Sequence, residues 1–204
     1  MSRLVAFGCS YTYGHGLVDC HIEPNTYGPL PSKFAWPQLL ADMLGIEAVN
    51  LGKPGLSNLH ILWKLLNFQF KTDDLCIVMW THFGRLPYSN LKYDSSDIDW
   101  NYYDNSVIKQ LPQIEEENIV INNYIAMHHA WLHLSIKNIK NYFVVAPKDI
   151  KFYKAPDISI PSLITKNPIL LKEIDKGLDK MHPGPKTHEV IAKYLFNQIN
   201  TPSL

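Results

Sequence analysis

Three side chains in this sequence of 204 residues are of the types that together perform acyl transfer. Ser10 closes the apolar run "LVAFGCS", and Asp179 and His182 stand three positions apart in "LDKMHPGPKTHEVIA", toward the other end of the chain. A serine hydroxyl attacks a carbonyl when a neighbouring histidine lifts its proton. The histidine in turn needs a carboxylate to hold its second ring nitrogen in the right tautomer and to stabilise the imidazolium. A three-residue spacing on a tight turn brings such a carboxylate to its histidine. Each signal alone has a plain structural reading: serine is an ordinary residue for a strand-ending turn, and Asp-x-x-His is an ordinary solvated start to a helix. Position is what links them.

A further stretch, "NLGKPGLSN" at 50–58, leaves an apolar segment through two glycines just ahead of a helical pattern. Glycines there let backbone N–H groups near a helix N-terminus point at a developing negative charge. A structural turn explains them nearly as well.

For these stretches to meet, regular elements must carry them. Residues 3–8, 47–52, 75–81 and 141–147 are apolar runs of the kind that form buried parallel strands. Helical patterns lie between and after them. The first, 32–45, has Ser32 as a candidate N-cap and Gly45 as a stop, with Pro37 placing the helix proper near Trp36. The second, 57–70, is capped by Ser57 or Asn58 and carries an apolar stripe through Leu59, Leu62, Trp63 and Leu66. The third, 115–140, opens on three glutamates where the helix dipole favours them and is expected to be the longest. The last, 186–199, follows Pro-Gly-Pro. Strand and helix in alternation predict a three-layer α/β/α sandwich around a parallel sheet. An apolar strand that stops at Gly8 then delivers Ser10 to the sheet edge where such folds keep their active sites.

The three blocks, in this order and spread over nearly the whole chain, resemble the GDSL or SGNH hydrolase family. "FGCSYTYG" matches the nucleophile block with Gly-Cys-Ser for Gly-Asp-Ser, "NLGKPGLSN" the second block and "DKMHPGPKTHEVIA" the last. The resemblance implies a flavodoxin-like sheet order, Ser10 as nucleophile, His182 as general base and Asp179 as its orienting partner. It also implies an oxyanion hole that includes the backbone N–H groups of Ser10 and Gly55. One block departs from the pattern: the family ends its third strand in Gly-x-Asn-Asp, whose asparagine is an oxyanion donor, whereas "VMWTHFGR" has His82 at about that place. Losing one such donor costs about 10²- to 10³-fold in turnover. His82 can donate from a ring nitrogen, Thr81 from its hydroxyl and Arg85 from its guanidinium, in that order of preference. Packing at a strand end is the alternative for Trp80, Thr81 and His82. The nucleophile elbow of α/β-hydrolases does not fit, because Thr12 stands where its second glycine belongs.

Composition narrows the classes. With 19 basic and 19 acidic residues the formal net charge is zero, so the sequence lacks the footprint of a nucleic-acid or anionic-membrane binder. The N-terminus has no signal-peptide pattern, and no window is apolar enough to span a membrane, so a cytoplasmic location is expected. Cys9, Cys20 and Cys76 are odd in number and lack metal-type spacing, which fits a reducing compartment, with Cys9 as core filler.

Two segments break the alternation: the polar and aromatic insertion 84–114, and 147–180 with weak strand signals such as "DISI". Neither looks like a separate domain, so 1–204 is read as one. His129 and His133 have helical metal spacing without a third ligand, and "GHG" at 14–16 lacks the rest of a dinucleotide fingerprint. No metal or organic cofactor is expected. His15 and His21 are candidates for the cleft wall, and His188 is expected on the surface. Tyr11, next to the nucleophile, joins Thr81 and Arg85 as a candidate substrate contact, and Tyr13, Trp100, Tyr102 and Tyr103 offer further aromatic surface for a sugar or acyl group. The expectation is a serine esterase or deacylase for a small-molecule or carbohydrate ester, such as an O-acetylated sugar. The rivals are a non-catalytic binding or structural protein on the same fold and an acyltransferase using the same residues.

Overall fold

A computed structural model describes residues 2–23, 26–81, 85, 87–89, 100–102, 116–145 and 173–201. In chain order the elements are β1 (Arg3–Phe7), α1 (Ser10–Tyr13), β2 (His21–Glu23), β3 (Thr26–Tyr27), α2 (Trp36–Leu44), β4 (Glu47–Asn50), α3 (Asn58–Leu66) and β5 (Leu75–Trp80). They continue with β6 (Pro87–Ser89), β7 (Trp100–Tyr102), α4 (Glu116–Ile136), β8 (Lys140–Val145) and α5 (Pro185–Asn200). Strands β4, β1, β5 and β8 form, in that spatial order, one parallel four-stranded sheet. Counted along the sheet-forming strands alone this is order 2-1-3-4, the flavodoxin-like arrangement. Its direction reverses between β1 and β5, which is where open α/β sheets bind ligands.

Alternation along each strand builds the layers. Leu4, Ala6, Ile77 and Met79 face one side, where they pack on Trp36 and Leu40 of α2 and on Ile191 and Leu195 of α5. Val5, Phe7, Cys76, Val78 and Trp80 face the other, against Ile61 and Leu65 of α3 and Met127, Ala130 and Leu134 of α4. All six residues of β5 are buried, as an interior parallel strand requires. The start of the sheet is tied by a fork between Arg3 and Asp74, with Nε to Oδ1 at 2.9 Å and Nη2 to Oδ2 at 2.6 Å.

Several local expectations are corrected. Strands β1, β4 and β5 stop one or two residues short of the apolar runs at 3–8, 47–52 and 75–81, and the last two residues of the run at 141–147 lie outside the described residues. Ser32 is not the cap of α2: Ala35 is, with Pro in the first turn, and the Ser32 hydroxyl bonds the Asp19 carboxylate instead. Helix α3 ends at Leu66, not 70. Its cap is Ser57, in a reciprocal capping box with His60. His188 is completely buried rather than on the surface, and its Nδ1 accepts the Trp36 N–H at 3.1 Å where α2 crosses α5. Within the insertion, β6 and β7 pair antiparallel. The rest of 84–114 except Arg85, and the segment 147–172 with "DISI", lie outside the described residues. All three cysteines are buried and free, and Cys9 belongs to the core as expected. Among the described residues no helix is long and apolar enough to cross a membrane.

Candidate active site

Ser10 opens α1, a single helical turn placed directly beyond β1. The N–H groups of Thr12 and Tyr13 both bond the Cys9 carbonyl, at 3.1 and 3.0 Å, which turns the chain sharply after Gly8. The turn is wedged between strand ends where no Cβ would fit: one on Gly8 would stand 2.0 Å from Thr12 Oγ1, and one on Gly52 2.7 Å from the Tyr13 nitrogen. The β4 loop is stitched to it, with Lys53 N–H donating to the Gly8 carbonyl at 3.1 Å and Asn50 Nδ2 to the Thr12 carbonyl at 2.7 Å. The first two sequence blocks therefore form one structural unit. The contact made by Ser10 Oγ is with Cys9 Sγ, at 3.9 Å, and among the described residues no hydrogen bond joins it to His182.

The third block reaches the same turn from the far end of the chain. Asp179 Oδ2 and His182 Nδ1 are 2.6 Å apart, while Asp179 Oδ1 accepts the N–H groups of Met181 at 2.9 Å and His182 at 3.0 Å. Four polar groups thus converge within one tight loop, as the three-residue spacing predicts. Burial by itself would raise the Asp179 carboxyl, but the two N–H bonds and the His182 ring outweigh it and hold the group below its ordinary value. Asp175 fixes the loop to the start of α5, accepting from Lys186 and Thr187 N–H groups at 3.0 and 2.9 Å.

The loop lies directly on the segment that follows Ser10. Leu178 N–H donates to the Gly16 carbonyl at 2.8 Å, and a Cβ on Gly177 would be 2.6 Å from that same oxygen. Gly16 itself has φ +90 and faces the Asp179 carboxylate, which leaves no room for a side chain. As a result the His182 ring stacks on His15, with centroids 4.2 Å apart, and meets the edge of Tyr11 at 6.0 Å. Tyr11 is the covalent neighbour of Ser10, so the loop that carries His182 packs against the turn that Ser10 begins. His15 is held below its usual pKa by burial first and by the His182 ring second.

The remaining candidates sort by the same geometry. Gly55 takes a left-handed φ of 83° in the loop between β4 and α3. Thr81 is fully buried and its Oγ1 accepts from Arg85 Nη1 at 2.9 Å, a contact that uses an oxygen lone pair and leaves the hydroxyl hydrogen to donate. The same Arg85 nitrogen lies 3.4 Å from the Leu56 carbonyl, next to Gly55. His82, the first choice for the missing oxyanion donor, lies outside the described residues. Tyr11 Oη donates to Glu173 Oε1 at 3.0 Å; burial and then the Glu173 charge push this phenol well above its ordinary pKa, while Arg85 pulls it back.

Two residues with structural roles at the site were not read as such from the sequence. Asn58, taken only as a possible cap, exchanges bonds with Thr81 N–H and carbonyl at 2.7 and 3.1 Å and with Asn123 at 2.6 Å, tying α3 to the end of β5. Glu173 lies within the segment 147–180, where only weak strand signals were read. As for metal ligands, among the described residues the histidines grouped with a carboxylate are not His129 and His133 but His15 and His182, which gather with Asp179 within 4.8 Å.

No protein-family profile matches this sequence, and no curated protein is similar to it. The fold, by contrast, has clear neighbours among solved structures. An acetyl xylan esterase, Est2A, from the rumen bacterium Butyrivibrio proteoclasticus superposes with a TM-score of 0.61 at 14% identity, over 97% of this chain and 63% of that one. The present chain thus spans under two thirds of that esterase. The aryl esterase of M. smegmatis gives 0.51 at 12% identity, over 98% of both chains. A lipolytic protein of the G-D-S-L family from Desulfitobacterium hafniense DCB-2 gives 0.50 at 13% identity, over 96% of this chain and 98% of that one. The fold is therefore the one shared by G-D-S-L lipolytic proteins and carbohydrate esterases.

Proposed function

We propose that the protein is a serine esterase of the GDSL/SGNH type, with Ser10 as nucleophile, His182 as general base and Asp179 as the carboxylate behind the histidine. The observation that carries this reading is the 2.6 Å contact between Asp179 and His182 Nδ1, in a loop docked on the turn that begins with Ser10. A carboxylate on Nδ1 leaves Nε2 as the free lone pair, the tautomer a base needs.

In the reaction, Ser10 Oγ rotates from Cys9 toward His182 and attacks the ester carbonyl as its proton passes to Nε2. Hydrogen bonds of this kind are commonly long before substrate arrives. The negative oxygen that forms is met by the backbone N–H groups of Ser10 and Gly55, with His82 as a third donor. His182 then returns its proton to the departing alcohol. Water attacks the acyl-serine with the same base, and the acid leaves. The Asp179 charge stays in place throughout, stabilising the imidazolium.

Tyr11, Glu173 and Arg85 are polar and aromatic neighbours near the Ser10 turn, side-chain types that suit a hydroxyl-bearing alcohol group. That favours a carbohydrate ester with a short acyl chain, and the acetyl xylan esterase fold supports the same class. A fluorophosphonate probe tests the nucleophile without knowledge of the substrate. Labelling at Ser10 that disappears in His182→Ala is expected; an unlabelled wild-type protein overturns the assignment.

A further inference from the structure

The proposed chemistry leaves one buried histidine without a task. His15 is 7% exposed, its ring stacks on His182 with an interplanar angle of 26°, and it leans on Tyr27 with centroids 5.3 Å apart. Its Nε2 is buried and has no hydrogen-bond partner, and it stands 3.9 Å from Asp179 Oδ2. Other buried histidine nitrogens are also unmatched, those of His188 and His133 among them; at His15 a carboxylate oxygen that already holds a second imidazole stands 3.9 Å away. One donor atom from each of His15, Asp179 and His182 lies within 4.8 Å of the other two.

We propose that His15, Asp179 and His182 form a binding site for zinc or a similar imidazole-seeking divalent cation, and that filling it switches the esterase off. Two imidazoles and a carboxylate are a donor set zinc accepts, with water as the fourth ligand. At the usual bond lengths of about 2.0–2.2 Å, the donors around one tetrahedral ion stand roughly 3.3–3.5 Å apart. The spacings from Asp179 Oδ2 of 2.6 Å to His182 Nδ1 and 3.9 Å to His15 Nε2 bracket that value; because a metal lies in the plane of each imidazole it binds, His15 must turn out of its stack on His182 for both lone pairs to meet one ion. The partly exposed His182 side chain opens the site to the solvent side.

The consequence for activity rests on the function proposed above. Before binding, the His182 proton sits on Nδ1 and Nε2 carries the lone pair. The cation takes the Nδ1 lone pair, and the ring's one proton moves through solvent to Nε2, with no change in proton count. A protonated Nε2 cannot accept the Ser10 proton, and Asp179 is now a metal ligand instead of a hydrogen-bond acceptor. Hard, strongly hydrated magnesium has little affinity for such a set.

The test titrates zinc chloride, with magnesium chloride as control, into the whole chain by calorimetry while Ser10 labelling by a fluorophosphonate is followed in parallel. Binding of one zinc is expected, weakened at least tenfold in His15→Phe, which keeps the stacked ring but removes its nitrogens; His15→Gln serves if that variant melts early. Zinc should suppress at least nine-tenths of wild-type labelling, chelation should restore it, and each variant's own labelling should be insensitive to zinc. No zinc binding, or equal binding in both variants, overturns the site. Binding that leaves labelling intact overturns the switch. If Ser10 is never labelled, the esterase reading fails while calorimetry on wild type and variants still decides the cation site.

Discussion

At the scale of single residues, the account turns on which contacts are local. The Asp179–His182 pair was legible because three residues on a tight turn leave few other places for the two side chains to go, and they meet at 2.6 Å. We expect Asp179→Asn to keep the loop's backbone bonds through its side-chain oxygen but to favour the wrong imidazole tautomer, lowering kcat by about 10³- to 10⁴-fold with KM little changed. A steady-state comparison with a small aryl ester checks it, and a loss below tenfold speaks against Asp179 as the orienting group. The stacked His15 and the buried His188 were not legible in this way. Their partners, His182 and Trp36, are more than 150 positions away along the chain, and nothing in local pattern encodes such a meeting. His188 was misread because histidine on a helix opening reads as solvated, whereas here the crossing of α2 over α5 needs an acceptor for the Trp36 N–H.

Elements were easier to read than their ends. Apolar runs located the four core strands, since a parallel sheet buried on both faces must be continuously apolar, and helical patterns located α2 to α5, but the stripe read for α3 named the wrong face: Leu59, Trp63 and Leu66 are exposed, and Ile61 and Leu65 face the core. What the pattern does not contain is where a strand yields to a loop, because that depends on the neighbour packed there. At Gly8, where the sequence did mark the end of a strand, the structure supplies the reason: Thr12 Oγ1 and the Met79 carbonyl occupy the space a side chain would need, at 2.0 and 3.0 Å from an added Cβ. Gly8→Ala is therefore expected to destabilise the protein by about 1–3 kcal/mol, as overpacking does. It should also reduce esterase activity more than stability alone explains, since the Ser10 turn must move. Denaturant melts beside rate measurements at full folding separate the two effects. Unchanged activity in a destabilised variant would place the Ser10 turn outside the catalytic geometry.

For the molecule as a whole, buried neutral histidines set the response to acid. Burial pushes His188 and His60 down to about 4, against about 6.5 in an unfolded chain. Between those values the unfolded state binds more protons than the native state, so stability rises with pH across this window and is lost as pH falls from about 6.5 toward 4. For His188 alone the loss approaches about 3 kcal/mol by the bottom of the window. Melts at pH 7 and pH 5 are expected to differ, and the difference should shrink in His188→Asn, whose side-chain oxygen can still accept the Trp36 N–H. An identical pH slope in that variant would mean that other groups govern the acid response. The three-layer architecture and the flavodoxin-like sheet order followed from the alternation of elements and the family resemblance together. The oxyanion donor after β5 did not, since His82, the expected stand-in for the asparagine, lies outside the described residues.

The most direct test of the central claim is release of p-nitrophenol from its acetate ester by wild type, Ser10→Ala and His182→Ala, with folding verified by melting. The account predicts turnover by wild type and a fall of at least about 10³-fold in both variants. Wild-type turnover that survives in Ser10→Ala would contradict it, because the hydroxyl placed at the sheet edge would then not be the nucleophile.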